Sequence, residues 1–164
     1  MVNIRPAAEP DRDPIWNIFH EIVAAGDTYA FDPGMSREEA LAYWFRAGTR
    51  TYVAENDGRV VGTYLLRANQ PSPGSHVANA AFMVAQDARG KGVGRKMAEH
   101  SLAEARRLGF RAMQFNFVVS TNTSAIHLWQ QLGFKIVGTL PGAFRHPRAG
   151  YVDVYVMFRL LLEG

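Results

Sequence analysis

The sequence predicts an α/β (α+β) domain, a mixed sheet with helices on both faces. Three observations lead there. Thr51–Glu55 and Arg59–Asn69 read as strands joined by Asn56-Asp57-Gly58, a tight-hairpin signal. Beyond that meander, strand and helix periods alternate, from His76–Val84 through Val93–Leu108 and Met113–Val119 to a helix at Asn122. The first of those strands meets its helix in a basic glycine-rich loop, Arg89-Gly-Lys-Gly-Val-Gly-Arg-Lys96.

In chain order, Val2–Arg5 alternates as a short edge strand does, and Pro6 is expected to break it. A helix follows, with Asp11 or Asp13 as cap and Pro14 in its first turn. Ile15, Ile18, Phe19, Ile22 and Val23 line its apolar face, His20 and Glu21 fall on the solvated side, and Gly26 ends it. Asp27–Gly34 is turn-rich yet carries Tyr29 and Phe31, aromatics that pack either on core or on ligand. Ser36-Arg-Glu-Glu39 is a capping box opening a second helix to about Ala47, stopped by Gly48. Gln70–Ser75 is a loop. In the Val93–Leu108 helix, Val93, Met97, Ala98, Leu102, Ala105 and Leu108 share one face, and Gly109 closes it. Met113, Phe115, Phe117 and Val119 alternate against Gln114, Asn116 and Val118. Two last strands are expected at Lys135–Leu140 and Tyr151–Leu161, with Pro141–Gly150 as the connection.

The glycine-rich loop stands at a helix N-terminus, where unpaired N–H groups and the helix dipole favour a phosphate. A P-loop is excluded because G-x-x-x-x-G-K-[ST] occurs nowhere. The dinucleotide fingerprint G-x-G-x-x-G fails on register, since its third glycine falls on Arg95 or Met97. What fits is Arg89-x-x-Gly92-x-Gly94, which resembles the R/Q-x-x-G-x-G/A signature of the GCN5-related N-acetyltransferases, the GNAT superfamily. Downstream, Asn122-Thr-Ser-Ala-Ile-His-Leu-Trp-Gln-Gln-Leu-Gly-Phe134 resembles that family's N-x-x-A-x-x-[LF]-[YW]-x-x-[LH]-G-F segment. It reads as a helix capped by the Asn122 side chain and stopped by Gly133.

The resemblance covers nearly the whole chain and implies one GNAT domain over residues 1–164, its sheet mostly antiparallel with about seven strands. It implies acetyl-CoA as cofactor, with Arg89, Gly90, Lys91, Gly92, Val93, Gly94 and Arg95 around the pyrophosphate. Phe82, Met83 and Val84 would pair through their backbone with the pantetheine arm and polarise the thioester carbonyl. The loop between the first two helices would roof the acceptor, which makes Thr28, Tyr29 and Phe31 pocket candidates as well as packing candidates.

The sequence departs from the family at Trp129, where many relatives carry a tyrosine proposed to protonate the departing thiolate. An indole is no practical acid. A thiol of pKa about 8.5 leaves readily enough for water to protonate it, so Trp129 reads as packing. No glutamate stands in His76–Val84 to act as base, and His76 and His127 read as surface or structural histidines, so water is left to carry the amine's proton. Asn79 and Asn116 interrupt apolar strands and need partners, either neighbouring backbone or ligand. Ser75-His-Val-Ala-Asn79 with Phe115–Asn122 resembles a subgroup that acetylates proline analogues such as azetidine-2-carboxylate, and the Thr28–Phe31 loop resembles phosphinothricin-type acetyltransferases. That likeness assigns Asn79 and Asn116 to the substrate and places Asn122 near the thioester, where it is the one catalytic candidate.

Composition agrees. Of 164 residues 48% are hydrophobic and 20% charged, as in a soluble domain, and no apolar run is long enough to span a bilayer. The first residues lack a signal peptide's apolar core, and cysteine is absent, which excludes disulfides and cysteine chemistry. A cytoplasmic location is the expectation. The +3 formal charge is mild and no nucleic-acid motif accompanies it, so no nucleic acid, membrane or metal is expected as partner. The reading is an N-acetyltransferase taking acetyl from acetyl-CoA to a small amine, an amino acid or analogue. A protein N-terminal or lysine acetyltransferase and a non-catalytic acyl-CoA-binding module are the alternatives, and a homodimer is left open.

Overall fold

The computed structural model describes residues 1–162, and residues 163–164 lie outside the description. Seven strands form one sheet among the described residues: β1 (Asn3–Pro6), β2 (Arg50–Asn56), β3 (Arg59–Ala68), β4 (Val77–Val84), β5 (Ala112–Val119), β6 (Lys135–His146) and β7 (Gly150–Leu160). Their order is β1-β2-β3-β4-β5-β7-β6, and only β4 and β5 run parallel. Four α-helices cover it: α1 (Arg12–Ala25), α2 (Arg37–Trp44), α3 (Val93–Arg107) and α4 (Thr123–Gln131).

The period of two sorts the helices onto the two faces. Thr63 of β3 accepts from the Trp44 indole of α2 at 2.9 Å, whereas its neighbour Tyr64 bonds His100 of α3 at 2.7 Å. Phe82, cross-strand partner of Tyr64, meets Trp129 of α4 on that second face. The apolar stripe read for α1 is the buried one, Ile15, Ile18, Phe19, Ile22 and Val23. Burying five such side chains stabilises the fold by about 1.5–3 kcal/mol each before conformational entropy is counted.

Several local expectations are corrected. Pro6 does not break β1 but ends it, opposite Tyr52, a place open to proline because β1 is an edge strand. The Asp11 carboxylate caps no α-helix; it accepts from Ala8 N at 2.7 Å and from both Arg5 terminal nitrogens. The Ser36–Glu39 capping box forms, but α2 stops at Trp44 rather than Ala47. On β5 a register shift between Phe115 and Val118 breaks the alternation: Phe117 is exposed and Val118 buried. Asn122 takes the N-cap position of α4 without a side-chain capping bond. Pro141–Gly150 is no loop, since β6 runs to His146 and turns directly into β7. A register shift between Leu140 and Phe144 absorbs Pro141, which cannot donate to the ladder.

Candidate active site

The site is made where the sheet divides. β4 and β5 pair only at Val77–Ala112 and Ala78–Met113, and then part. At the fork Asn79 Nδ2 donates to the Gln114 carbonyl at 3.0 Å, so a side chain takes the place of the next ladder bond. Of the two partners left open for Asn79, backbone or ligand, this is the backbone one, and the residue is half-buried. Asn116 was expected in an apolar setting and is instead exposed. Its amide donates to Asn69 Oδ1 at 2.6 Å and accepts from Gln114 Nε2 at 2.9 Å.

Ladder phase decides what β4 offers the gap. Ala85 N donates to Val61 O and Asn69 N to Val77 O, so odd-numbered β4 residues direct their N–H and C=O groups to β3. Phe82 and Val84 therefore face the gap with their backbone groups. Met83 directs its ladder groups to Thr63 and buries its side chain, although it too is among the residues that line the cleft.

The gap opens into a cleft of about 860 Å³. Its lining includes Arg89, Gly90, Gly92, Val93, Gly94 and Arg95 at one end, and Phe82, Met83, Val84, Thr28, Tyr29, Phe31, Asn79, Asn116 and Asn122 around the rest. Lys91 is the exception. It is exposed and lies outside the lining, between two glycines that turn the chain at φ 74° and 79°. Those two positive-φ turns at Gly90 and Gly92 swing the loop into the N-terminus of α3, and an added Cβ at either would meet nothing within 4 Å. No side chain caps α3, so its first amides remain available to an anion. The half-buried Asn122 side chain, released from capping, meets only Ser124 Oγ at 3.4 Å.

Tyr29 shapes the other end. Its hydroxyl donates to the Phe82 carbonyl and pins the α1–α2 loop across the cleft onto β4. Burial pushes the phenol up to about 12, so it is a neutral donor at physiological pH. Phe31 ties the loop to the core, 5.1 Å from both the Phe19 and Tyr43 rings and 6.0 Å from Tyr29. Below, Trp129 packs on Phe115 (4.5 Å), Phe82 (5.0 Å) and Phe134 (5.8 Å) and is 9% exposed, a packing residue as read.

His146, the last residue of β6, and Arg148 of the β6–β7 turn also line the cleft and were missed in the sequence. The signal was there as a short Pro-Arg-Ala-Gly turn between strands, hidden by reading Pro141–Gly150 as one long connection. His146 Nδ1 accepts from Arg148 N at 3.1 Å and Ala149 N at 3.0 Å, which leaves the ring's other nitrogen to carry the proton in the neutral form.

Residues 16–134 match the model of the Acetyltransferase (GNAT) family. The chain is 48% identical to a GCN5-related N-acetyltransferase of known structure from Kribbella flavida, with a TM-score of 0.94 and 97% of each chain covered. It is 33% identical over 151 residues to N-acetyltransferase aca1 of Schizosaccharomyces pombe, covering 82% of this chain and 72% of that one. It is 29% identical over 145 residues to L-amino acid N-acyltransferase MnaT of Escherichia coli, with 85% and 83% covered. Solved neighbours of this fold include complexes with acetyl-CoA. No helix among the described residues is long and apolar enough to cross a membrane.

Proposed function

The chain belongs to the acetyltransferase (GNAT) family and is an acetyl-CoA-dependent N-acetyltransferase, and from that premise we propose that its acceptor is the amine of a small amino acid or close analogue. The observation that carries this is the Tyr29 anchor: pinned to Phe82 O, the α1–α2 loop lies across the cleft at the end we assign to the acceptor. A protein terminus or lysine needs an open groove there. The similarity to an L-amino acid N-acyltransferase supports the same acceptor class.

In this reading the amides from Gly90 to Arg95 hold the pyrophosphate, helped by the charge of Arg89, Lys91 and Arg95. Backbone groups of Phe82 and Val84 align the pantetheine arm, and one N–H polarises the thioester carbonyl. Asn122 steadies the thioester region, while Asn79 and Asn116 border the acceptor. The neutral amine attacks the carbonyl carbon, the C–N bond forms and the C–S bond breaks. The amine's proton passes to water, and water protonates the thiolate. In this reading the reaction takes place in the cytoplasm.

An acetyl-CoA consumption screen over amino acids, their analogues, polyamines and peptides tests this. Small amino acids are expected to turn over fastest. Preference for peptides would turn the assignment to protein acetylation, and binding of acetyl-CoA without turnover on any amine would leave a binding module.

A further inference from the structure

We propose that Arg148 is the carboxylate-binding residue of the acceptor site, engaged by Asp27 until an amino acid displaces it. The inference rests on the small-amino-acid reading above. Such an acceptor carries a carboxylate one carbon from its reacting nitrogen, and an ion of that kind inside a cleft needs a matched donor. The asparagines already have protein partners, Asn79 the Gln114 carbonyl and Asn116 the side chains of Asn69 and Gln114, and neither brings a positive charge.

Among the described residues, the acidic and basic side chains lining the cleft are Asp27, Arg89, Arg95, His146 and Arg148, and the two phenols there, Tyr29 and Tyr43, carry no positive charge. Arg89 and Arg95 belong to the glycine-rich loop at the phosphate end. The turn amides take up His146 Nδ1. Arg148 remains, opposite the roof loop.

Its present partner is weakly held. Arg148 Nη2 stands 3.6 Å from Asp27 Oδ2, too far for a hydrogen bond, with the two side chains 72% and 35% exposed. An exposed pair of this sort contributes little, whereas a guanidinium grips a carboxylate through two parallel bonds. A substrate carboxylate that meets the guanidinium through both nitrogens has the stronger hold of the two, since Asp27 makes no hydrogen bond to it. The backbone need not move: Arg148 N–H is bonded to His146, so the turn stays fixed while the side chain swings. The pair also joins the α1–α2 loop to the β6–β7 turn, so the same arginine reports on both walls of the acceptor end.

The test compares the best amino acid from the screen with its carboxamide, on the parent enzyme and on Arg148→Gln. For the free acid the substitution is expected to raise KM at least tenfold, with a smaller change in kcat. Kinetics on the carboxamide should stay within about twofold, as should acetyl-CoA affinity. The parent's preference for acid over amide then disappears. Equal losses on both acceptors would make Arg148 a structural residue and overturn the proposal, as would an unchanged KM for the acid. If the parent acetylates no small amino acid, the acceptor reading itself falls; if it does and Arg148→Gln is silent, only this inference falls.

Discussion

Replacing Trp129 separates packing from chemistry at the place where this chain departs from its relatives. The indole stands within 4.5–5.8 Å of three phenylalanine rings and is 9% exposed. Complete truncation of such a residue costs about 3–5 kcal/mol. A phenyl ring keeps most of the stack, so Trp129→Phe should cost about 1–2 kcal/mol, from the partly filled cavity alone. At about 2–4 °C per kcal/mol for a domain of this size, the melting temperature should fall by about 2–8 °C. Turnover should change less. If water protonates the departing thiolate, nothing chemical leaves with the indole, and kcat should stay within about threefold from pH 6.5 to 8.5. Calorimetry gives the stability term, and thiol release under saturating acetyl-CoA gives the kinetic one. A fall in kcat beyond tenfold, about 1.4 kcal/mol of barrier, with acetyl-CoA affinity preserved, would refute the reasoning and give the indole N–H a part in the reaction.

Two further outcomes test the cleft and the core. A Cβ at Gly94 would lie 3.8 Å from Val84 Cγ2 and 4.0 Å from Leu128 Cδ2, ordinary contacts, so Gly94→Val should fold while its branches stand in the cofactor's path. Titration calorimetry should show acetyl-CoA binding at least tenfold weaker with unchanged circular dichroism, and unchanged affinity would remove the phosphate-loop assignment. Burial pushes the Tyr29 and Tyr52 phenols up to about 12 from 10.0, and Tyr64 is raised by burial as well. The fold thus prefers them protonated, and its stability is fully present below about pH 10 and lost as pH climbs through 12. Urea midpoints at pH 8 and pH 11 should differ, with Tyr52→Phe narrowing the gap; equal midpoints in the parent would contradict the burial argument.

What the sequence made legible was whatever local chemistry decides. Alternating glycines announced positive φ at Gly90 and Gly92, and the apolar stripe from Ile15 to Val23 announced the buried face of α1. What stayed hidden depended on partners distant in the chain. The phase that turns Met83 toward Thr63 and Phe82 toward the gap is set by pairing with β3, not by the residues themselves. Phe117 and Val118 exchange places because of a register shift against β7. Asn122 has the chemistry of a cap and does not act as one, because a suitable side chain at that position is a propensity and not an obligation. Arg148 gains meaning only when the β6–β7 turn is seen to reach Asp27, 121 positions earlier in sequence.

The fork between β4 and β5 has a consequence beyond the ligand it faces. An open sheet ordinarily has two borders, here β1 and β6. Parting two central strands makes another pair in the middle of the molecule, whose main-chain groups no longer bond each other after two rungs and in part take side-chain partners instead, Asn79 at Gln114 and Tyr29 at Phe82. Exposed borders invite stray polypeptide, and proteins usually shield them with charge, proline or distortion. Here the shield is architectural. The new borders look at each other across a slot roofed by the Tyr29 loop and floored by Trp129. On the reading proposed above, a slender amide-bearing chain would take up the rungs that the two strands do not share.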